Sequence, residues 1–249
     1  MKETKTQFPA EEVTLPSKGL LYPEDSPLRS GILEMKYMTA REEDILTNVN
    51  LIENGTVIDK LLESLIITKI DFNELLTGDK DAILIAARIL GYGSDYIFNY
   101  NGEEINIDLT IIKDKQLDES LIVDGKNEFP FTLPTSKKEV TFRFLTHGDE
   151  QKITKELKGL KKLNKNASND LTTRMKYIIT SIDNDPERKT IREFVDNEFL
   201  AKDARELRNH ISKIQPSVDL SYDYEDQRGN ITTIDIPVGI NFFWPDASI

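Results

Sequence analysis

The chain has 249 residues, enough for one large domain or two of about 100–120 residues each. Hydrophobic residues make up 38% and charged residues 31%, the balance of a soluble globular protein with modest cores. The 44 acidic against 32 basic side chains give a net charge of −12, which argues against the positive face a phosphate backbone needs, and the absence of cysteine excludes disulfides and thiolate metal sites.

Residues 1–12 are polar and read as a flexible arm without the apolar core of a signal peptide. No apolar run approaches the roughly 18 residues a membrane helix needs, so the protein is expected to stay in the cytoplasm where it is made. Val13-Thr14-Leu15-Pro16 has strand character, confined to an edge by Pro16. A proline-punctuated loop to Gly31 carries Leu20, Leu21 and Tyr22, which read either as tucked onto their own domain or as a docking arm. The pattern Ile32, Leu33, Met35, Tyr37 predicts a strand, which hands over to a helix where Thr39 and Glu42 stand in the relation of a capping box. After Asn54-Gly55, Thr56 and Asp59 predict a helix to about Thr68, with Val57, Ile58, Leu61, Leu62, Leu65 and Ile66 on one face. Asp71 and Glu74 suggest a capped turn, and a further helix runs from about Asp79 to Leu90, stopped by Gly91 and Gly93. Tyr96–Tyr100, Asn101-Gly102 and Ile105–Leu109 read as a hairpin, because both turn residues tolerate positive φ.

The same plan is then read again. Phe131-Thr132-Leu133-Pro134 matches Val13-Thr14-Leu15-Pro16, and Thr146 with Asp149-Glu150 repeats the strand-to-helix hand-over after Val140–Leu145. Tyr177–Asp183 corresponds to Leu65–Asp71, and Thr190 with Glu193 suggests another capping box. A long helix carrying Phe199, Leu200, Ala204, Leu207, Ile211 and Ile214 leads to Pro216, and Val218–Tyr224 with Ile231–Ile236 mirrors the first hairpin. The expectation is an α+β fold, predominantly helical, made of two tandem copies of a strand–helical hairpin–helices–β-hairpin unit. The copies span 13–112 and 131–249, joined by a connection at 113–130.

Catalytic signals are weak. His147 and His210 are the only histidines, and no nucleophile elbow, P-loop or dinucleotide fingerprint is present. Glu42, Glu43, Asp44, Asp149 and Glu150 sit in predicted first helical turns, where the helix dipole explains them without catalysis. A carboxylate-dependent cell-wall hydrolase is the enzymatic alternative, and an acidic decoy of a host nucleic-acid-binding protein is another. Asp108, Asp223 and Asp235 are placed on the wet faces of the hairpins. The one basic concentration, Lys155–Lys165, is threaded by Leu157, Leu160 and Leu163 and reads as an amphipathic helix, a surface for an acidic partner being the minority reading. The run Phe242-Phe243-Trp244 would bury a large apolar area, in the second unit's core or against another subunit. No cofactor, metal site, membrane or nucleic-acid contact is expected.

Leu15-Pro16-Ser17-Lys18-Gly19 with Tyr22, Met38-Thr39 with Glu42–Leu46, Gly78-Asp79, Ala87-Arg88-Ile89 with Gly91-Tyr92-Gly93, and the ending Phe242-Phe243-Trp244-Pro245-Asp246 resemble the T4-like bacteriophage baseplate proteins, the baseplate hub subunits and hub-assembly factors. That resemblance implies a non-enzymatic role in virion morphogenesis, in the host cytoplasm during assembly or in the tail baseplate. Its partners would be other tail and hub proteins, with self-association left open. Leu20, Leu21, Tyr22, Phe242, Phe243 and Trp244 are the candidate partner-binding residues, and no catalytic residue comes with the resemblance.

Overall fold

The computed structural model describes residues 9–115, 118–123, 125–163, 169–225 and 229–243, in an α+β arrangement of helices and small antiparallel sheets. Strand β1 (Ala10–Thr14) pairs with β2 (Ile32–Lys36), Thr14 opposite Ile32 and Ala10 opposite Lys36. Between them Pro16 lies outside the ladder, as its missing N–H requires. Helix α1 (Ala40–Leu46) starts where Glu42 Oε2 accepts from Thr39 N at 3.0 Å and Thr39 Oγ1 at 2.6 Å. The chain then restarts as α2 (Val49–Asn54), because Asn48 Oδ1 accepts from Leu51 N at 3.2 Å and opens a new first turn.

Helix α3 (Val57–Leu65) ends three residues short of the expected Thr68. The free edge of β2 captures the backbone instead, since Ile66 bridges Met35 and Ile67 N donates to Glu34 O at 2.8 Å. Asp71 caps a short 3-10 turn, as the sequence suggested. Helix α4 (Thr77–Tyr92) follows, with Gly91 inside it and Gly93 at its end. Strands β3 (Asp95–Tyr100) and β4 (Glu103–Asp108) form the expected hairpin, Asn101 and Gly102 at φ 51° and 85° supplying the two left-handed residues of its turn.

In the second half, β5 (Phe129–Thr132), β6 (Glu139–Phe142) and β7 (Ile179–Ile182) form a three-stranded sheet in that order. Helices α5 (His147–Leu163) and α6 (Asp170–Ile178) connect β6 to β7. The capping box expected at Thr190 and Glu193 does not form. Helix α7 (Arg188–Asn197) has already begun, and Thr190 Oγ1 donates instead to Asp185 Oδ2 at 2.8 Å. Phe199 and Leu200, expected inside a long helix, lie in the break before α8 (Ala201–Ile214), whose restart at Ala201 places Asp203 in its first turn. Strands β8 (Ser221–Glu225) and β9 (Ile231–Asp235) form the last hairpin, and Asp108, Asp223 and Asp235 are exposed on it and its counterpart.

One hydrophobic core runs through both halves, from Leu15 to Phe243. Its seam is stitched by backbone. Thr77 N donates to Leu145 O at 3.0 Å and His147 N to Leu75 O at 2.8 Å, while Lys115 N reaches Ser217 O at 2.8 Å and Asp219 N reaches Lys113 O at 2.7 Å. Gly78 lets α4 lie directly on the end of α8, since a Cβ there would stand 1.8 Å from Pro216 O.

Backbone cannot yield at that contact, so Gly78→Ala is expected to cost about 3 kcal/mol or more in urea denaturation. Gly159, in α5, meets nothing within 4 Å. Gly159→Ala should therefore stabilise the chain by about 0.5–1 kcal/mol.

Candidate functional site

The loop after β1 is held by one carboxylate. Asp79, in the first turn of α4 and fully buried, accepts from Ser17 N at 2.9 Å, Ser17 Oγ at 2.6 Å and Tyr22 Oη at 2.6 Å. Burial pushes its pKa up, against those three hydrogen bonds, which favour the ionised form. Tyr22 Oη in turn accepts from Leu76 N at 2.9 Å, so the phenol links the carboxylate to the backbone just ahead of α4. Burial, then the neighbouring carboxylate, raises the phenol pKa well beyond its ordinary range. In the second half Asp203 occupies the first turn of α8 and accepts from Thr135 N at 2.7 Å and Ser136 N at 2.9 Å. There burial raises the pKa, but the hydrogen bonds from Ser136 and Thr135 win and hold it below the usual carboxylate range. Lys18 and Lys137, in the two clamped loops, both take positive φ, at 52° and 61°.

The other first-turn carboxylates are also occupied. Glu42 is buried and lies 2.7 Å from Lys36 Nζ. Burial would raise its pKa, yet the Lys36 and Thr39 hydrogen bonds bring it below the ordinary value. Asp149 lies 2.8 Å from Arg143 and accepts from Thr146 N at 3.1 Å, while Thr146 Oγ1 accepts from Asp149 N at 3.3 Å. Glu43 and Asp44 are exposed, and Glu150 pairs with Arg174 at 2.6 Å. Each candidate acid thus has either a basic partner or open solvent, and the set does not converge on one cleft. Among the described residues no three His, Asp or Glu side chains are grouped to hold a metal ion.

His147 lies at the seam, its ring against Phe72 at 4.7 Å between centroids. Lys80 Nζ, which can only donate, is 3.2 Å from Nδ1 and 2.6 Å from Asp59 Oδ1. Burial and then Lys80 lower the imidazole pKa, so the ring is neutral at pH 7. Asp81 lines a neighbouring cavity of about 350 Å³ with Lys80, His147 and Glu150. Burial raises its pKa to about 6, with Lys80 and Lys115 opposing. His210 stacks on Phe131 at 4.8 Å, and burial lowers its pKa too.

The candidate partner-binding residues sit mostly inside. Leu21 and Tyr22 are buried under the loop they belong to, and Leu20 is half-buried. Phe242 and Phe243 are fully covered, Phe242 edge-on to Tyr96 at 4.8 Å, and Arg88 Nε donates to Phe242 O at 2.9 Å. Each buried phenylalanine contributes about 1.5–3 kcal/mol to the chain's own core. In this structure these four side chains pack within the chain's own core, the tucked-in arrangement that the sequence left open beside docking. Trp244 lies outside the described residues. From sequence, Ser17, Asp79 and Arg88 enter only through the family resemblance, and Asp203, Lys36 and Arg143 have no assigned role; the one local signal is an aspartate placed third after a Leu-Leu or Phe-Leu pair in each half.

A cleft of about 800 Å³ lies where the halves meet and is lined by Tyr22, Leu76, Arg143 and the start of α5. No family model matches the chain, nor does any curated protein or solved structure.

Tyr22→Phe removes both hydrogen bonds of the phenol and should cost about 1–3 kcal/mol, whereas Tyr37→Phe, which loses an exposed bond to Glu11, should leave the midpoint of the same denaturant titration unchanged. Asp81 binds its proton more tightly folded than unfolded between the ordinary 3.8 and about 6, so its ionisation destabilises the fold at neutral pH and that cost fades as pH falls. Asp81→Asn should accordingly raise stability by about 2 kcal/mol at pH 7–8, with the gain shrinking below pH 6 and gone near pH 4 in thermal melts.

Proposed function

We propose that this chain is a non-enzymatic phage tail protein that takes part in, or assists, assembly of the baseplate hub through protein–protein contacts. We further infer that it is built from two tandem copies of one α+β unit. The observation that carries the reading is that the residues resembling the hub family meet one another in space. Ser17 and Tyr22 converge on Asp79, Arg88 joins Gly93 O at 2.8 Å to Phe242 O at 2.9 Å, and Met38 packs on Gly91. Separate stretches of sequence resembling one family therefore specify a single connected framework.

Duplication is supported by paired devices at matching places. Lys36, Thr39 and Glu42 follow at three-residue steps, as do Arg143, Thr146 and Asp149, each with a base from the strand end on a buried N-terminal acid. Asp79 and Asp203 each hold the Leu-Pro loop of their own half from the first turn of a later helix. Of the first-turn acids considered for a hydrolase, Glu42, Asp149 and Glu150 are each paired with a base.

The test is deletion of the gene from the phage that carries it. Lysates should then contain heads and unassembled tail proteins, with no complete hub by electron microscopy, and infectious titre should fall by orders of magnitude. Infectious tails assembled in its absence would refute the reading. Mass spectrometry of purified virions separates a resident subunit, which is retained, from an assembly factor, which is lost.

A further inference from the structure

In a chain of net charge −12, unpaired lysines collect on one helix. Within α5, Lys152, Lys155, Lys158 and Lys162 recur at three- and four-residue steps and so share a face. Lys155, Lys158 and Lys162 are exposed and make no ion pair among the described residues, and Lys152, 68% exposed, stands 3.8 Å from Asp149. The N-terminal part of that face forms a wall of the 800 Å³ cleft, where Lys152, Lys155 and Arg143 surround apolar side chains of Leu21 and Leu76. Against these cations the cleft holds Glu74 and Asp149, and Asp149 is already bridged to Arg143.

We propose that this cleft and the lysine stripe leading from it bind an acidic segment of a partner polypeptide, with its carboxylates along α5. Charge complementarity selects the occupant: a short acidic peptide meets the one local excess of positive charge, while a long polyanion would extend over a surface of the opposite balance. An aromatic platform for stacking bases is missing from the cleft too, since Tyr22 is only 3% exposed there. The partner's identity as a tail protein rests on the hub reading, whereas the binding itself is a property of the isolated chain.

The experiment is fluorescence anisotropy with the purified chain and a short fluorescein-labelled peptide of Asp, Glu and Leu, with a single-stranded oligodeoxynucleotide of similar length as the second arm. The peptide should bind, and binding should weaken with added salt. Lys152→Glu with Lys155→Glu and Lys158→Glu should raise Kd roughly tenfold or more, and Lys155→Gln alone by about two- to threefold if the triple variant does not fold. Lys202→Glu, at an exposed lysine of α8 outside the cleft lining, should leave Kd unchanged. Absence of peptide binding, equal binding of the oligonucleotide, or equal loss on Lys202→Glu would each overturn the assignment. Failure here leaves the hub reading standing, because gene deletion tests that independently.

Discussion

A single buried carboxylate, Asp79, governs how this chain comes together. Removing a charge from water costs several kcal/mol unless donors replace the lost hydration, and here three donors do so from residues about sixty positions earlier. The Leu-Pro-Ser-Lys-Gly loop cannot leave Asp79 without stranding that charge, so the loop, Tyr22 and the start of α4 form one unit. From that fixed point the rest follows. The backbone at Leu75 to Thr77 meets Leu145 to His147 of the second half, and Gly78 closes on Pro216. The two halves therefore meet at the start of α4.

The polar groups of the interior answer to the same constraint in different ways. Glu42 and Asp149 are held by bases at the preceding strand ends and Asp203 by backbone amides, while burial and then Lys80 lower the pKa of His147. Asp81 is a partly buried acid whose burial raises its proton affinity more than Lys80 and Lys115 lower it. With so much of the acidity committed to holding the framework, what remains for encounters with other molecules is the surface: an acidic body with one basic helix beside a cleft.

Local chemistry was legible and distant chemistry was not. Asn101-Gly102 announces its hairpin because the φ requirement lies in the two residues themselves, and Thr39 with Glu42 announces its helix for the same reason. Thr190 and Glu193 carry an equally good pattern, yet Asp185, five residues upstream of Thr190, took the hydroxyl and let the helix begin sooner. The end of α3 was decided by an open strand edge more than thirty residues earlier, which no window around Thr68 contains. Leu21, Tyr22, Phe242 and Phe243 were visible as apolar residues in unlikely places, but whether they face a partner or the interior depends on elements far along the chain. The roles of Asp79 and Asp203 were silent for that reason too, since their donors lie 57 to 68 residues away.

The two loop clamps carry different histories of permitted change. Asp203 is satisfied by the amides of Thr135 and Ser136, which any residue except proline can supply. Asp79 draws on two side-chain hydroxyls as well as an amide, and no substitution short of another hydroxyl restores them. The later loop thus asks for a backbone shape, and the earlier one asks for particular side chains as well.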